Sequence, residues 1–450
     1  MKKFNFIFLF FLQLAYVSAQ NFYLPSQAEI QQLPEWAKKM YSGTAVITEV
    51  EVLYDEWYSQ HPFEKNYHTQ YYKRWTRFHR HNLDEQGNYQ MGNTENFLSP
   101  IKKISSSSKK NNINTMSGQP WQLIGPMQAF DGQANTTGEQ TNVYCIHQNE
   151  NNSQVLYCGT EPGDIFKSTD GGGNWTCVSF DLNLGGIGAI ASDPTDENIV
   201  FAGSNRFLVR SQDGGITWDT IINVVGFYPN EILINKSNPQ IICVASDNGF
   251  YRSNDGGNSW NKLFNESCYD IKCRPGNNAI IYLLKDNPTL KICEFFSSSD
   301  TATTFTLQSN GWYSSADPAR VNMGGRLAVS ADDSLRVYAY LIGDSKANDF
   351  GYIGVYRSND GGQNWTLPNG PAGGPYTSTH LNLAYGEPNW TYHQGFYNCA
   401  IMANPTNADE ILIGGLNLWR SLNGGQTFTS IAGYVGGPLN MHVDLSLIHI

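Results

Sequence analysis

Two sets of side chains in this 450-residue sequence are of types that could carry out chemistry. The first is a set of carboxylates, because general acid–base catalysis needs acidic groups placed against one reacting bond. The unassigned acids are Glu161, Asp164, Asp270, Asp317 and Glu387. Their spacing along the chain leaves open which of them converge, and exposed loop acids are the simpler interpretation. The catalytic residues are therefore unknown at this stage.

The second set lies in and beyond a loop rich in glycine and aromatic residues, at positions 368–390. Exposed tyrosine and tryptophan rings can stack on sugar rings or clamp a peptide. A surface loop folded over its own rings is the alternative, and the sequence leaves both open. The candidate ligand-binding residues are Tyr376, Tyr385, Trp390, His393, His442 and Asp444. Because His380 and His393 lack a third ligand, we predict no metal site and no cofactor.

An eight-residue motif, Ser-x-Asp-Gly-Gly-x-x-Trp, recurs from residue 168 onward and has the chemistry of a turn. Its carboxylate can accept N–H groups of its own turn, and its glycines adopt positive φ without steric cost. Catalysis needs one constellation rather than many copies, and a calcium loop would alternate its aspartates. The structural residues of the copies are Asp170, Asp213, Asp255, Asp300, Asp360 and Asn423, with Trp175, Trp218, Trp260 and Trp365.

The spacing of the motif indicates the fold. The first intervals are 43 and 42 residues, and a longer gap of 105 residues holds a degenerate copy, residues 298–305, that lacks both glycines. Short strand-like runs precede each motif, for example residues 187–191, 199–203 and 208–210. Four short antiparallel strands in about 40–50 residues are typical of a β-propeller blade, whereas stacked solenoids have shorter repeats. We therefore predict an all-β propeller with six visible units of four strands.

Other segments precede this domain. Residues 1–19 carry two lysines, an apolar run and Val17-Ser18-Ala19, which together predict a signal peptide cleaved before Gln20. Residues 20–104 are predicted to be helical, because Tyr67, Tyr71, Trp75 and Phe78 recur on one helix face. Residues 105–118 form a polar linker, and residues 119–450 form the propeller domain. We expect a secreted or cell-surface protein without a transmembrane segment.

Charge and cysteine content restrict the function further. The net charge is −11, and the part from residue 119 onward has 16 basic against 30 acidic residues. This excess of acidic over basic residues argues against nucleic-acid binding. The eight cysteines are scattered, so buried thiols and disulfides both remain open.

The motif resembles Asp-box repeats, also called bacterial neuraminidase repeats, of sialidases, xyloglucan-specific endoglucanases and the sortilin ectodomain. A closer resemblance is to large exported Asp-box propellers of bacteria with type IX secretion, through residues 121–126, 394–398 and 414–421. The resemblance implies the fold, and the secretion machinery as a partner. The arginine signature of sialidases is absent. We expect a surface module that binds a glycan or protein ligand, and the alternative is a glycoside hydrolase that acts within polysaccharides.

The C-terminal residues suggest that the natural chain continues. Residues 434–444 resemble the start of another unit, in which His442 and Asp444 would be a metal-binding or acid–base pair or ordinary strand residues. Residues 445–450 resemble a translated sequencing adapter. We expect at least seven blades in the full protein, followed by a C-terminal sorting domain.

Overall fold

A computed structural model describes residues 25, 27–42, 46–63, 68–69, 71–72, 75–76, 129–130, 136–137, 142–179, 182, 184–313, 322–343, 351–373, 381–385, 395 and 398–433. The N-terminal part contains the helices α1 (Gln27–Ile30), α2 (Glu35–Met40) and α3 (Ile47–Gln60). Helices near residues 35–40 and 46–59 are therefore confirmed. Within the described residues, no helix is long and apolar enough to cross a bilayer.

The helices pack through aromatic side chains. Trp36 of α2 is buried, and its ring meets the ring of Tyr54 edge-on at 5.0 Å. Tyr54 of α3 stacks on Tyr72 at 3.7 Å between ring centroids. Trp75 is buried in the same cluster, and Tyr71 packs against it. These two residues of the predicted aromatic helix face therefore dock on α2 and α3. Tyr67 and Phe78 lie outside the described residues.

The described residues from 143 onward form an all-β propeller of six sheets, which we number blade 1 to blade 6. A two-stranded sheet of β1 (Ala129–Phe130) and β2 (Thr136–Thr137) precedes them. The strands of blades 1 to 3 are β3 (Val143–Gln148), β4 (Leu156–Thr160), β5 (Ile165–Ser168), β6 (Thr176–Cys177), β7 (Ala189–Ser192), β8 (Val200–Gly203), β9 (Phe207–Ser211), β10 (Asp219–Asn223), β11 (Pro229–Ile234), β12 (Ile242–Ser246), β13 (Gly249–Ser253) and β14 (Asn261–Phe264).

The remaining sheets follow the same order. The strands of blades 4 to 6 are β15 (Cys268–Arg274), β16 (Asn277–Asn287), β17 (Ile292–Ser298), β18 (Thr306–Leu307), β19 (Asn322–Val329), β20 (Val337–Gly343), β21 (Tyr352–Ser358), β22 (Ala400–Asn404), β23 (Asn407–Gly414), β24 (Asn417–Ser421) and β25 (Thr429–Gly433). Blade 5 has three strands, and one bridge between Arg357 and Thr366 stands where its fourth strand would begin. The predicted strands of blade 2, at residues 187–191, 199–203 and 208–210, are confirmed to within about two residues at each end.

Each sheet is an antiparallel meander, so its connections alternate between two faces of the propeller. We call the face with the Ser-x-Asp turns, between the third and fourth strands, the lower face. The upper face carries the turns between the second and third strands and the connections between blades. The first strands, β3, β7, β11, β15, β19 and β22, contact one another in this order. They therefore line the central channel.

The repeated motif forms the predicted turns on the lower face. In blade 2 the Ser211 hydroxyl donates to Asp213 Oδ1 at 2.8 Å and accepts the N–H of Gly215 at 2.7 Å. The N–H and hydroxyl of Thr217 donate to the two oxygens of Asp213 at 2.8 and 2.6 Å. The Trp218 indole N–H donates to the carbonyl of Val178 in blade 1. The turn thus closes on itself and ties its blade to the preceding one.

A second tie between blades was not predicted from the sequence. The basic residue directly before the motif serine donates to a turn carbonyl of the next blade. The bonds are Lys167 to Gly214, Arg210 to Gly256, Arg252 to Thr301 and Arg357 to Gly424, at 2.9–3.0 Å. Because these bonds recur at equivalent positions, they fix the spacing of the blades at the lower face.

The degenerate turn of blade 4 leads to a prediction about backbone strain. Thr301 and Ala302 stand where the other turns have glycines, and their φ angles are 58° and 59°. This conformation costs an L-residue roughly 1 kcal/mol. We expect Thr301→Gly to raise the free energy of unfolding in urea by about 0.5–1 kcal/mol. Thr303→Gly is the control, because the hydroxyl of Thr303 donates to the Asp300 carbonyl just as that of Thr301 does. Thr303 is not among the residues with a positive φ. A rise in the free energy of unfolding for Thr303→Gly, with no rise for Thr301→Gly, would contradict backbone strain at residue 301.

The turn carboxylates also lead to a prediction about acid stability. The hydroxyl and N–H of Ser259 and the hydroxyl of Ser253 lower the pKa of Asp255 to about 2, against about 3.9 in an unfolded chain. Its stabilising contribution is present above pH ~4 and is lost as the pH falls toward 2. We expect the stability of the wild type to fall more steeply over this range than that of Asp255→Asn. Parallel pH profiles would count against this role of the carboxylate.

The cysteines lead to a third prediction. All eight lie within the described residues and are unpaired, and six of them are buried. Burial raises the pKa of Cys158 and Cys243 to about 12. We expect slow reaction of the native protein with a thiol reagent such as Ellman's, and eight reactive thiols after denaturation without reductant. Fewer than eight under those conditions would mean that disulfides form.

Candidate functional site on the channel wall of blades 3 to 5

Three charged side chains lie together where the first strands of blades 3 and 4 meet. The Lys272 ammonium on β15 bonds Glu231 Oε1 of β11 at 2.9 Å and Asp270 Oδ1 of its own strand at 3.0 Å. The side chains of Glu231 and Lys272 are 39% and 28% exposed, while that of Asp270 is 2% exposed. Glu231 and Lys272 therefore remain accessible to solvent on strands that line the channel. We call these three residues the charged wall.

Asp270 holds the charged wall in place. Its Oδ1 also accepts the N–H of Ile271 at 2.8 Å, and its Oδ2 accepts the N–H of Leu327 at 2.7 Å. Leu327 belongs to β19, the first strand of blade 5. One buried carboxylate therefore joins blade 4 to blade 5 and orients the lysine that joins blade 4 to blade 3.

Arg326 is the second cation of the site. It precedes Leu327 on β19, and its Nη1 donates to the backbone carbonyl of Tyr269. Among the described residues it forms no ion pair within 4.0 Å. Its charge nevertheless opposes the rise in the pKa of both Glu231 and Asp247. Within the described residues, the guanidinium forms no direct ion pair with either carboxyl group.

Asp247 forms the upper rim of the site, in the turn between β12 and β13. Its Oδ1 accepts the side-chain N–H of Asn230 at 2.8 Å and the hydroxyl of Ser267 at 3.3 Å. Its own N–H donates to the carbonyl of Tyr228 at 3.0 Å. Tyr228 has a φ of 31°, a strained value for a bulky residue. Strain of this kind clusters at functional sites, which supports the assignment.

In this site, burial and the bonded partners shift the pKa values of the charged groups in opposite directions. Burial raises the pKa of Glu231, and Lys272 opposes the rise. Burial also raises the pKa of Asp247, against its bonds from Asn230 and Ser267. Burial would lower the pKa of the Lys272 ammonium, but Asp270 and Glu231 outweigh it and raise that pKa instead. Glu231 and Lys272 are thus desolvated in part and paired with opposite charge, a combination typical of binding and catalytic sites.

Of the three singled-out acids that lie within the described residues, one belongs to the candidate site. Asp270 belongs to the charged wall, whereas Glu161 and Asp164 lie in the turn between β4 and β5 of blade 1. Glu161 accepts the amide of Asn142 at 2.8 Å, and burial raises the pKa of Asp164 to about 6. Asp317 and Glu387 lie outside the described residues.

The aromatic loop is described only in part. Tyr385 is 4% exposed and packs in the core between blades 5 and 6. The prediction of Tyr385 as a ligand-binding ring is corrected accordingly, because burial by its neighbours leaves it no free face. Tyr376, Trp390, His393, His442 and Asp444 lie outside the described residues. Within the residues that are described, no three His, Cys, Asp or Glu side chains are grouped for a metal ion.

Sequence reasoning missed Glu231, Lys272, Arg326 and Asp247. Their signal is weak but present: each of the first three is a charged residue within a strand-like run that opens a repeat. Aligning the repeats on the first strand, rather than on the turn motif, would have placed these charges on one wall.

Comparisons with known proteins found similarity to solved structures only. No family model matches the sequence, and no curated protein matches it. A GH74 xyloglucanase from Xanthomonas campestris is similar at 15% identity and a TM-score of 0.46, over 63% of this chain and 45% of that chain. YCF48 from Cyanidioschyzon merolae is similar at 13% identity and a TM-score of 0.41, over 68% and 88%. The structure of YCF48 bound to D1 peptide is similar at 14% identity and a TM-score of 0.42, over 64% of this chain and 81% of that chain.

All of these TM-scores are below 0.5 and all identities are 15% or lower. The chain spans less than half the length of the Xanthomonas xyloglucanase and about 40% of an ancestral GH74 enzyme, which has a TM-score of 0.44. The function therefore has to be argued from the residues of the site.

Proposed function

We propose that this protein is an exported propeller of the cell surface that binds a glycan or protein ligand over the upper half of its channel. The observation that carries the proposal is the charged wall, in which one lysine holds both Glu231 and Asp270. Its exposed ends present a fixed pattern of charge on a rigid scaffold. A site of this kind favours binding and orientation of a ligand.

The same observation argues against hydrolysis at this wall. A glycoside hydrolase needs one carboxyl group as a proton donor and a second as a base or nucleophile. Glu231 and Asp270 both bond the ammonium of Lys272. Asp270 in addition accepts two backbone N–H groups and is 1% exposed. Neither group is placed as a free acid.

A glycoside hydrolase remains the second candidate, because burial raises the pKa of Asp164 to about 6 and also raises that of Asp247. A carboxyl group that stays partly protonated near neutral pH could act as a general acid. Hydrolysis of a polysaccharide with an acidic pH optimum, lost in Asp164→Asn or Asp247→Asn, would support this candidate over the binding module.

We also propose that the chain belongs with the exported Asp-box propellers. The closed serine–aspartate turns and their repetition in the blades support this kinship. Export rests on residues 1–19, and type IX secretion rests on the resemblance alone. Terminal sequencing of the protein recovered from the cell surface or medium tests export. A mature chain that begins at Gln20 is expected, and a cytoplasmic protein that keeps Met1 would contradict it.

Binding can be tested on arrays of glycans and peptides with the purified chain from residue 20. We expect a defined set of ligands for the wild type, and loss of signal in the double variant Glu231→Gln/Lys272→Met. This variant removes both charges but keeps the approximate side-chain volumes. A hydrolysis screen on the same glycans runs beside the arrays.

The opposite mouth of the channel offers a matched control. Lys236 pairs with Glu150 at 2.7 Å in turns of the lower face. The double variant Glu150→Gln/Lys236→Met should bind as the wild type does. Equal loss in both double variants, or no ligand on either array, would refute a binding site at the charged wall.

A further inference from the structure

Blades 1 and 6 each have a second apolar cluster besides the core that they share with a neighbour. Blades that follow one another enclose cores built from both sheets. The second clusters contain residues of one blade only. They are Val143, Ile146, Leu156, Cys158, Phe166 and Trp175 in blade 1, and Met402, Leu412, Leu418, Ile431 and Ala432 in blade 6. We call these two clusters the end faces.

The end faces point away from the shared cores. On β4, Tyr157 of the shared core stands between Leu156 and Cys158 of the end face, and successive strand residues point to opposite sides of a sheet. Among the described strands, the first strands of blades 6 and 1 do not form the extensive contact that joins first strands elsewhere. The end faces of the two blades therefore do not pack directly on each other.

Both end faces are nevertheless buried within the chain itself. Cys158 is 0% exposed and Leu418 is 8% exposed. A sheet with two apolar faces needs a packing partner on each of them. The residues that cover the end faces therefore belong to this protein rather than to a partner.

The small sheet of β1 and β2 has the place of the outer half of a blade. Its strands are antiparallel and are separated by residues 131–135, just as the third and fourth strands of each blade flank a motif turn. Five residues, 138–142, lead from β2 to the first strand of blade 1. Five residues, 224–228, lead from the fourth strand of blade 2 to the first strand of blade 3.

The sequence between β1 and β2 retains part of the repeated motif. Asp131 is followed by Gly132 and, four positions after the aspartate, by Asn135. The same spacing occurs in blade 1, where the N–H of Asn174 donates to Asp170 Oδ1 at 2.7 Å. Asp131 precedes Asp170 by 39 residues, close to the intervals of 43 and 42 residues between the next copies. A degenerate copy thus precedes blade 1, without the serine and the aromatic residue.

We infer that one further sheet lies between blades 6 and 1, with β1 and β2 as its outer strands and residues 434–444 as its inner strand. Residues 434–444 follow the fourth strand of blade 6, which is where a first strand begins in the other blades. Leu439, Met441 and Val443 alternate with polar residues, a pattern typical of a strand. The sheet packs on both end faces and joins the two ends of the propeller, whichever ligand the channel binds.

Hydrogen–deuterium exchange with mass spectrometry, on the purified chain from residue 20, tests the inference. We expect slow exchange of the amides of residues 129–137 and 438–444 in the wild type. Leu418→Ala weakens the end face of blade 6 and should speed exchange in both segments by roughly tenfold. Exchange in β12 of blade 3 is the internal reference and should stay as in the wild type. Met402→Ala, on the same end face, replaces Leu418→Ala if circular dichroism shows that variant to be unfolded.

The control variant is Leu422→Ala in the motif turn of blade 6, where the leucine is 61% exposed. It should leave exchange in both segments unchanged. The decisive readout is residues 129–137, because they are distant from Leu418 in sequence and only a shared sheet couples them to blade 6. Fast exchange of these residues in the wild type, unchanged exchange there in the folded variant, or equal acceleration in β12 would overturn the inference.

Discussion

Asp270→Asn is expected to lower the free energy of unfolding by about 3 kcal/mol. The buried carboxylate of Asp270 accepts the N–H groups of Ile271 and Leu327 and contacts the ammonium of Lys272. An amide has one acceptor oxygen, so either the Leu327 N–H or the ammonium loses its partner. Because the bonds cross from blade 4 to blade 5, the loss affects the assembly of the ring. Urea unfolding followed by tryptophan fluorescence measures it.

The matched control is Asp219→Asn, the same exchange at an exposed position of β10. We expect a change within about 0.5 kcal/mol there. Equal stability of Asp270→Asn and Asp219→Asn would show that the buried carboxylate does not tie the blades together.

Asp213→Ala is expected to destabilise the propeller by about 1–3 kcal/mol. The substitution removes the acceptor of the Ser211 hydroxyl and of both the N–H and the hydroxyl of Thr217. The turn also holds Trp218 against blade 1, so its loosening should reach the neighbouring blade. Ligand binding should be unchanged wherever the variant remains folded, because the turn lies on the lower face.

The control for this prediction is Asn423→Ala in blade 6. Asn423 makes the corresponding bonds to Ser421 and Thr427, but its uncharged amide accepts weaker bonds than a carboxylate does. We expect a smaller loss than in Asp213→Ala. Identical melting temperatures for the wild type and Asp213→Ala would refute the structural role of the turns.

The sequence predicted the propeller well because its signal is local and repeated. The turn of blade 2 needs Ser211, Asp213 and two glycines within five residues, and each requirement can be recognised without knowledge of the fold. Even the degenerate turn at residues 298–305 was recognised, and Asp300 bonds Ser298 and Thr304 as its counterparts do. Local chemistry repeated at a regular interval is therefore sufficient to specify this architecture.

The candidate site could not be predicted in the same way. Glu231, Lys272 and Arg326 are 41 and 54 residues apart along the chain, and only the packing of first strands places them on neighbouring strands. Single charged residues in strands look like ordinary exposed positions in one sequence. Tyr385 shows the opposite error, since a tyrosine in a glycine-rich loop suggested exposure and proved to be core. Loop composition reports little about burial.

We propose that the channel wall of blades 3 to 5 binds its ligand and leaves it intact. The most direct test is mass spectrometry of the ligand that binds best, after a long incubation with the wild type and with Glu231→Gln/Lys272→Met. We expect an unchanged ligand in both samples, and retention on the wild type only. Fragments that accumulate with the wild type and not with Asp247→Asn would contradict the claim and assign the site to a hydrolase.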